Sequence, residues 1–269
     1  MNTDSPKIAT DKMLMQKHGA VGRMVFNNPA RHNAVSLEMW QAAEEILADF
    51  ERDPAIRVVV LSGAGGKAFV SGADISKFES ERASQEAIKR YNEITARASN
   101  KLYELSKPTI AEIQGYCIGG GLGIALACDL RLCADNSRFG VPAAKLGLGY
   151  AHKGIKRLID VVGPAMAKEI FFTARQFSAA EAYEMGLVNR ILSPGELSAY
   201  VQNYADTIAG NAPLTVLQIK RTVGELVKDE HDRDYPLCDR LVADCFASED
   251  YIEGRRAFME KRKPQFKGR

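Results

Sequence analysis

The chain has 269 residues, 46% apolar and 26% charged, enough to bury a sizeable core without disulfides or metals. Lys and Arg number 36 against 34 Asp and Glu, so the net charge is only +2. That balance supplies no field for nucleic acid or an anionic membrane, and the apolar content excludes wholesale disorder.

A polar leader (MNTDSPKIATDK) has no signal-peptide pattern. MLMQKH and GAVGRMVFN then read as two strands around a glycine turn, with Met13, Met15 and Met24 as core residues. NNPARHNAVS breaks the regularity. From Ser36, an N-cap, apolar residues recur at helical spacing as far as Asp53-Pro54. Residues 57–62 are nearly all apolar, as in a strand covered on both faces. A Gly-rich turn at 63–66 leads into KAFVSGADI. Residues 82–105 read as a helix, and 108–113 as another buried strand. GYCIGGGLGIALACD passes from glycines into a short apolar helix, and DLRLCAD is again a strand. A helix starts near Tyr150, and a capped helix runs from Ser178 to Gly186 before the strand LVNRIL.

Beyond Pro194 the pattern holds only three or four helices. The expected organisation is an α/β core over 1–195 and a helical region over 196–269. Within the longest uncharged run, Gly115 to Cys128 spans 14 residues with five glycines, too short and Gly-rich to span a bilayer. The five cysteines show no CxxC and no zinc spacing, so no metal site is expected and the cytoplasm is the expected compartment.

Two segments imitate nucleotide loops and fail. GAGGK has Leu61 and Ala68 where a phosphate loop needs Gly and Ser/Thr. GGGLG has Ile124 or Leu126 where a dinucleotide fingerprint needs Gly or Ala. What remains is two Gly-rich turns, each at the end of an apolar strand. Such turns serve tight packing, or let a ligand approach the backbone and place an N–H against an oxyanion.

KAFVSGADI, GYCIGGGLGIALACDLRLCAD, TARQFSAAEAYEMGLVNRI and EGRRAFMEKRKPQF occur in this order, and together they resemble the enoyl-CoA hydratase/isomerase (crotonase) superfamily. The resemblance runs from about Lys17 to Phe266. It implies a crotonase-like spiral of ββα units with a C-terminal helical region that packs trimers, often paired into hexamers. It implies an oxyanion hole from the backbone N–H groups of Ala73 and Gly120. Coenzyme A would be part of the substrate, with no separate cofactor. It would lie along Ala30 and Arg31 and along Ser71, Asp74 and Ile75, while Phe258 and Lys261 approach its adenine and phosphates across a subunit boundary. Residues 253–269 carry seven Lys/Arg and two Glu, so this basic end has a specific role to fill, beyond that of a solvated face.

The departures from the family pattern are informative. A hydratase of this family uses two glutamates, and the matching positions here are Gly123 and Ala143. Syn addition of water to an enoyl thioester needs a base for the water and an acid for Cα, and neither residue is either. His152, which shares with Tyr150 a loop that resembles the family's acyl-pocket wall, and Glu112, a carboxylate in an apolar strand, are the substitute acid–base candidates. Asp74 and Asp129 also read as structural, bonding loop amides.

The expected activity is that of an acyl-CoA-processing enzyme holding an enolate, named enoyl-CoA hydratase/isomerase. Decarboxylation, isomerisation and thioester hydrolysis are the alternatives. A non-catalytic acyl-CoA or RNA binder is the alternative of another class. RNA is disfavoured because Arg82, Lys89, Arg90, Arg97 and Lys101 share the expected helix at 82–105 with Glu86 and Glu93, so no nucleic acid and no membrane partner are expected.

Overall fold

The computed structural model describes residues 8–74, 77 and 83–269. Two sheets carry the chain. The larger contains β1 (Met13–His18), β2 (Val21–Phe26), β3 (Val58–Gly63), β5 (Thr109–Ile113), β7 (Leu130–Ala134) and β10 (Arg190–Leu192), in that order. Only β1 and β2 pair antiparallel; every later pair is parallel. The smaller sheet runs β4 (Ala68–Val70), β6 (Tyr116–Ile118), β8 (Arg138–Gly140) and β9 (Phe177–Ser178), with β9 antiparallel to β8.

The connections make a spiral. After β3 the chain adds β4 to the small sheet and returns through a helix, α2 (Gln85–Glu104). It repeats this with β5, β6 and α3 (Gly120–Ala127), and again with β7, β8 and α4 (His152–Thr173). Each turn is a ββα unit, the crotonase-like fold expected from the sequence.

Local signals account for the helices. α1 (Leu37–Arg52) buries Met39, Ala42, Ala43, Ile46, Leu47 and Phe50, a single stripe at helical period. Ser84 caps α2, its hydroxyl accepting from the Ala87 N–H at 3.1 Å. Ser178 and Glu181 form a capping box that starts α5 (Ala179–Glu184). α4 is interrupted where Gly163 adopts φ 76°, ψ 168°, which lets Pro164 follow without breaking a bond it would otherwise remove.

Alternation in the large sheet sorts its residues onto two faces. Val21, Val58, Val60, Ile110, Leu132 and Ala134 pack against Leu197, Val201, Ala205 and Ala209 of α6 (Pro194–Ala209). Met24, Val59, Leu61, Ala111, Ile113 and Cys133 face the opposite way, into the main core with α1, the small sheet and α3. This helix, which begins at Pro194, thus covers the sheet itself. Three further helices follow: α7 (Pro213–Leu226), α8 (Tyr235–Ala247) and α9 (Glu249–Met259). Lys220 of α7 reaches back to Asp129 at 2.8 Å, and Asp129 also accepts from the Thr109 N–H and hydroxyl. No described helix is long and apolar enough to cross a membrane.

Candidate oxyanion site

The two Gly-rich turns meet. Val35 donates to the Gly72 carbonyl at 2.9 Å, and Asp74 N–H donates to the Val35 carbonyl at 3.1 Å. This parallel bridge uses the atoms on either side of Ala73. Successive backbone groups in an extended segment point to opposite sides, so the Ala73 N–H faces away from Val35. On that side stands the first residue of α3. A β-carbon on Gly120 would lie 3.9 Å from the Ala73 nitrogen, and one on Gly72 would lie 3.8 Å from the Gly120 nitrogen. The Gly120 N–H is among the first of its helix, which the intrahelical ladder leaves unpaired. Two backbone donors therefore border one small gap, and the positive end of α3 points at it.

Glycine is required on both walls of this gap. Gly72 has φ 111° and Gly119 has φ 56°, ψ −115°, conformations that side chains resist. A side chain on Gly72 would also partly fill the space in front of the Gly120 N–H.

The loop holding Ala30 and Arg31 is brought to the same place. It forms a single 3-10 turn, Pro29–Arg31, with both residues exposed. The Ser71 N–H donates to the His32 carbonyl at 3.1 Å, and the Ser71 hydroxyl to the Arg31 carbonyl at 3.4 Å. Asn33 pins the loop from beneath. Wholly buried at φ 56°, it donates to the carbonyls of Ala64 (2.9 Å) and Ala68 (2.7 Å) and accepts from the Asn28 N–H. The sequence reading passed over Asn33; an Asn before apolar residues in an irregular loop was its only signal. Asp74 is buried, within electrostatic reach of the Lys12 ammonium. Ile75 lies outside the described residues.

The acid–base candidates fare differently. Glu112 shares the α6 face of the sheet with Ile110, and Arg23 donates to it at 2.8 Å. The same guanidinium donates to Gln202 of α6 at 3.0 and 3.3 Å. The expectation of Glu112 as an acid or base is therefore corrected: the carboxylate is half of an ion pair between sheet and helix, turned away from the core face that carries the gap. His152 is the first residue of α4 and is exposed. Phe258 is 82% exposed near the end of α9, and Lys261 follows at its C-cap side with φ 55°. Neither is packed into the core of its own chain.

Gly123 lies one turn along α3 from Gly120. A β-carbon there would lie 3.7 Å from the hydroxyl of Tyr150. Ala143, in the 3-10 segment Pro142–Leu146, is buried in the main core. Arg131 caps the other end of α3. It is buried, and it donates to the carbonyls of Cys128 (2.8 Å) and Ala125 (3.3 Å), and to that of Leu187 (2.8 Å). Burial alone pushes its guanidinium down from the usual value. This cation lies against the negative end of the helix whose positive end borders the gap.

The sequence pattern of the enoyl-CoA hydratase/isomerase family matches residues 16–269. The chain belongs to that family. It is 33% identical over 260 residues to the short-chain-enoyl-CoA hydratase of Clostridium acetobutylicum, covering 96% of this chain and 99% of the relative. It is 35% identical to the carnitinyl-CoA dehydratase of Proteus mirabilis, covering 93% and 96%. Among solved structures, an enoyl-CoA hydratase/carnithine racemase from Magnetospirillum magneticum superposes with a TM-score of 0.89 at 36% identity, covering 97% of each chain. This membership makes the chain an acyl-CoA-processing enzyme of the crotonase superfamily.

Proposed function

We propose that the Ala73 and Gly120 N–H groups hold the carbonyl oxygen of an acyl-CoA thioester, and that the enolate they stabilise arises by loss of CO2 from Cα. The observation that supports this reading is the close approach of Ala73 and Gly120 beside Gly123 and Ala143, which bear no carboxylate. In a 2-carboxyacyl-CoA, the bond from Cα to the carboxylate breaks and its electron pair moves onto the thioester oxygen. CO2 leaves, and Cα then takes a proton. No base is needed to start this reaction, and charge develops on the oxygen facing the donors. One such donor contributes roughly 100- to 1,000-fold in rate.

The thioester arm would lie along Ala30, Arg31, Ser71 and Asp74. Phe258 and Lys261 would serve the CoA of a neighbouring subunit in a homotrimer or homohexamer, which suits their exposure on the single chain. The second reading is addition or removal of water, favoured by the relatives named as hydratase and dehydratase. Mass spectrometry of an acyl-CoA panel after incubation separates the two. Methylmalonyl-CoA losing CO2, with crotonyl-CoA left unhydrated, supports decarboxylation. Rapid gain of water by crotonyl-CoA with intact methylmalonyl-CoA overturns it.

A further inference from the structure

We infer that Tyr150 is a catalytic residue of this site, its phenolic hydroxyl delivering a proton to Cα of the enolate from the α3 side; the inference rests on the enolate reading above. Gly120 and Gly123 are three residues apart on α3, so they share one face, with β-carbon positions roughly 5–6 Å apart. The Gly120 position is 3.9 Å from the Ala73 nitrogen, and the Gly123 position is 3.7 Å from the Tyr150 oxygen. The hydroxyl and the oxyanion donors therefore bracket the same helical turn.

The ring is fixed and the hydroxyl is not. Tyr150 packs edge-to-face on Phe171 with centroids 5.0 Å apart. Its Cε1 would be 3.0 Å from a β-carbon on Gly154, so the first turn of α4 closes on the ring too. The hydroxyl, by contrast, donates to the Gly119 carbonyl at 3.4 Å, far beyond the usual O–H···O length near 2.8 Å. That carbonyl already accepts the helical N–H of Gly123 at 3.1 Å. Giving up this contact to a substrate costs little.

The group is also in the right protonation state. Burial pushes the Tyr150 phenol above its ordinary value, with the Cys117 thiol adding to the shift, so the proton stays on the oxygen at neutral pH. A thioester enolate is a far stronger base than a phenolate. Transfer therefore runs downhill: the O–H bond breaks, the Cα–H bond forms, and water returns a proton to the phenolate.

The test compares the unmodified protein with Tyr150→Phe, which keeps the ring and removes the hydroxyl. Methylmalonyl-CoA is the first probe, in D2O. The unmodified protein should yield propionyl-CoA carrying one deuterium in a single configuration. Tyr150→Phe should lower kcat by roughly 100- to 10,000-fold and scramble that configuration. Calorimetric binding of CoA should be equal for both, which shows an intact fold. Butyryl-CoA is the second probe, read at raised pH by α-deuterium exchange, in which the Cα–H bond breaks, the Tyr150 phenolate takes the proton and the enolate forms without loss of CO2. Exchange by the unmodified protein and its loss in Tyr150→Phe supports the assignment even if methylmalonyl-CoA is not a substrate. Equal rates and a single configuration in both proteins overturn the role of Tyr150 and leave the enolate reading standing. Neither decarboxylation nor exchange by the unmodified protein overturns the enolate reading, and the assignment falls with it.

Discussion

A β-carbon on Gly121 would lie 2.0 Å from the carbonyl oxygen of Val70. The first turn of α3 is thus pressed against the end of β4, and that contact sets the spacing of the gap between Ala73 and Gly120. Ala at this position must push backbone from backbone, since no flexible side chain is there to yield. The expected cost of Gly121→Ala is about 3 kcal/mol, the upper end for overpacking. A displacement near 1 Å at the donors is expected to lower turnover about 100-fold as well. Gly149→Ala is the control, because a β-carbon there meets nothing within 4 Å. Thermal unfolding and turnover, measured on both variants, should change only for Gly121→Ala.

The Arg23–Glu112 pair leads to a separable effect. Both side chains are about nine-tenths buried, at 12% and 11% exposure. Glu112→Gln leaves the guanidinium with a weaker acceptor and should lower stability by about 1–3 kcal/mol. Turnover of whichever acyl-CoA is the substrate should stay within twofold, because the residue faces α6. A loss of activity at unchanged stability would return Glu112 to the site.

These residues show what the sequence could and could not yield. The apolar strands of the large sheet, the α1 stripe and the Ser178 cap follow from periodicity and side-chain chemistry, and they stand where expected. Alternation alone puts Glu112 on one face with Ile110. Which face carries the site is decided by the chain path, and no local pattern contains that. The small sheet was not legible as a sheet. Its strands are three residues or fewer, too short for alternation to register, and Gly140 ends one of them. That the two Gly-rich turns would come together was expected through resemblance alone, because backbone donors leave no side-chain signature. Resemblance alone put Tyr150, with His152, on a loop like the family's acyl-pocket wall; its approach to Gly123 is a tertiary fact.

The C-terminal tail carries a pH dependence with a definite sign. Arg262 grips Glu253 at 2.6 and 2.9 Å, and the Gln265 N–H donates to the same carboxylate at 2.9 Å. The guanidinium first, and that N–H second, hold the Glu253 carboxyl down at about 2. A carboxylate whose folded pKa is depressed contributes fully above its unfolded value of roughly 4.3, and the contribution disappears as pH falls toward the folded value. Amide exchange at Gln265 should therefore quicken, relative to its intrinsic rate, on acidification across that window. Glu253→Gln should abolish the dependence and leave the tail loosened already at neutral pH. An identical exchange profile in that variant would show that the clamp does not order the tail.

Converting this site into a hydratase is the most demanding expectation. The unmodified protein should hydrate crotonyl-CoA several orders of magnitude more slowly than a two-glutamate enzyme, since each acid–base group contributes about 100- to 10,000-fold. The two losses need not multiply, because such groups act as a unit. Gly123→Glu with Ala143→Glu restores the chemistry on paper, and the geometry says why it should fail as a pair. A β-carbon fits at Gly123, but the atoms beyond it run toward the Tyr150 hydroxyl, 3.7 Å from that carbon. Room has to be made there, so Tyr150→Leu is needed as a third change. The residual difficulty is Ala143, which is buried in the main core and would bring a carboxylate out of water unless the substrate's attacking water reaches it. The expected order of crotonyl-CoA hydration, followed by loss of enoyl absorbance, is triple variant above double variant, with the double variant close to the unmodified protein. A double variant as active as the triple would mean that Tyr150 moves aside freely. Efficient hydration by the unmodified protein would mean that an acid–base pair other than the residues at 123 and 143 performs the reaction.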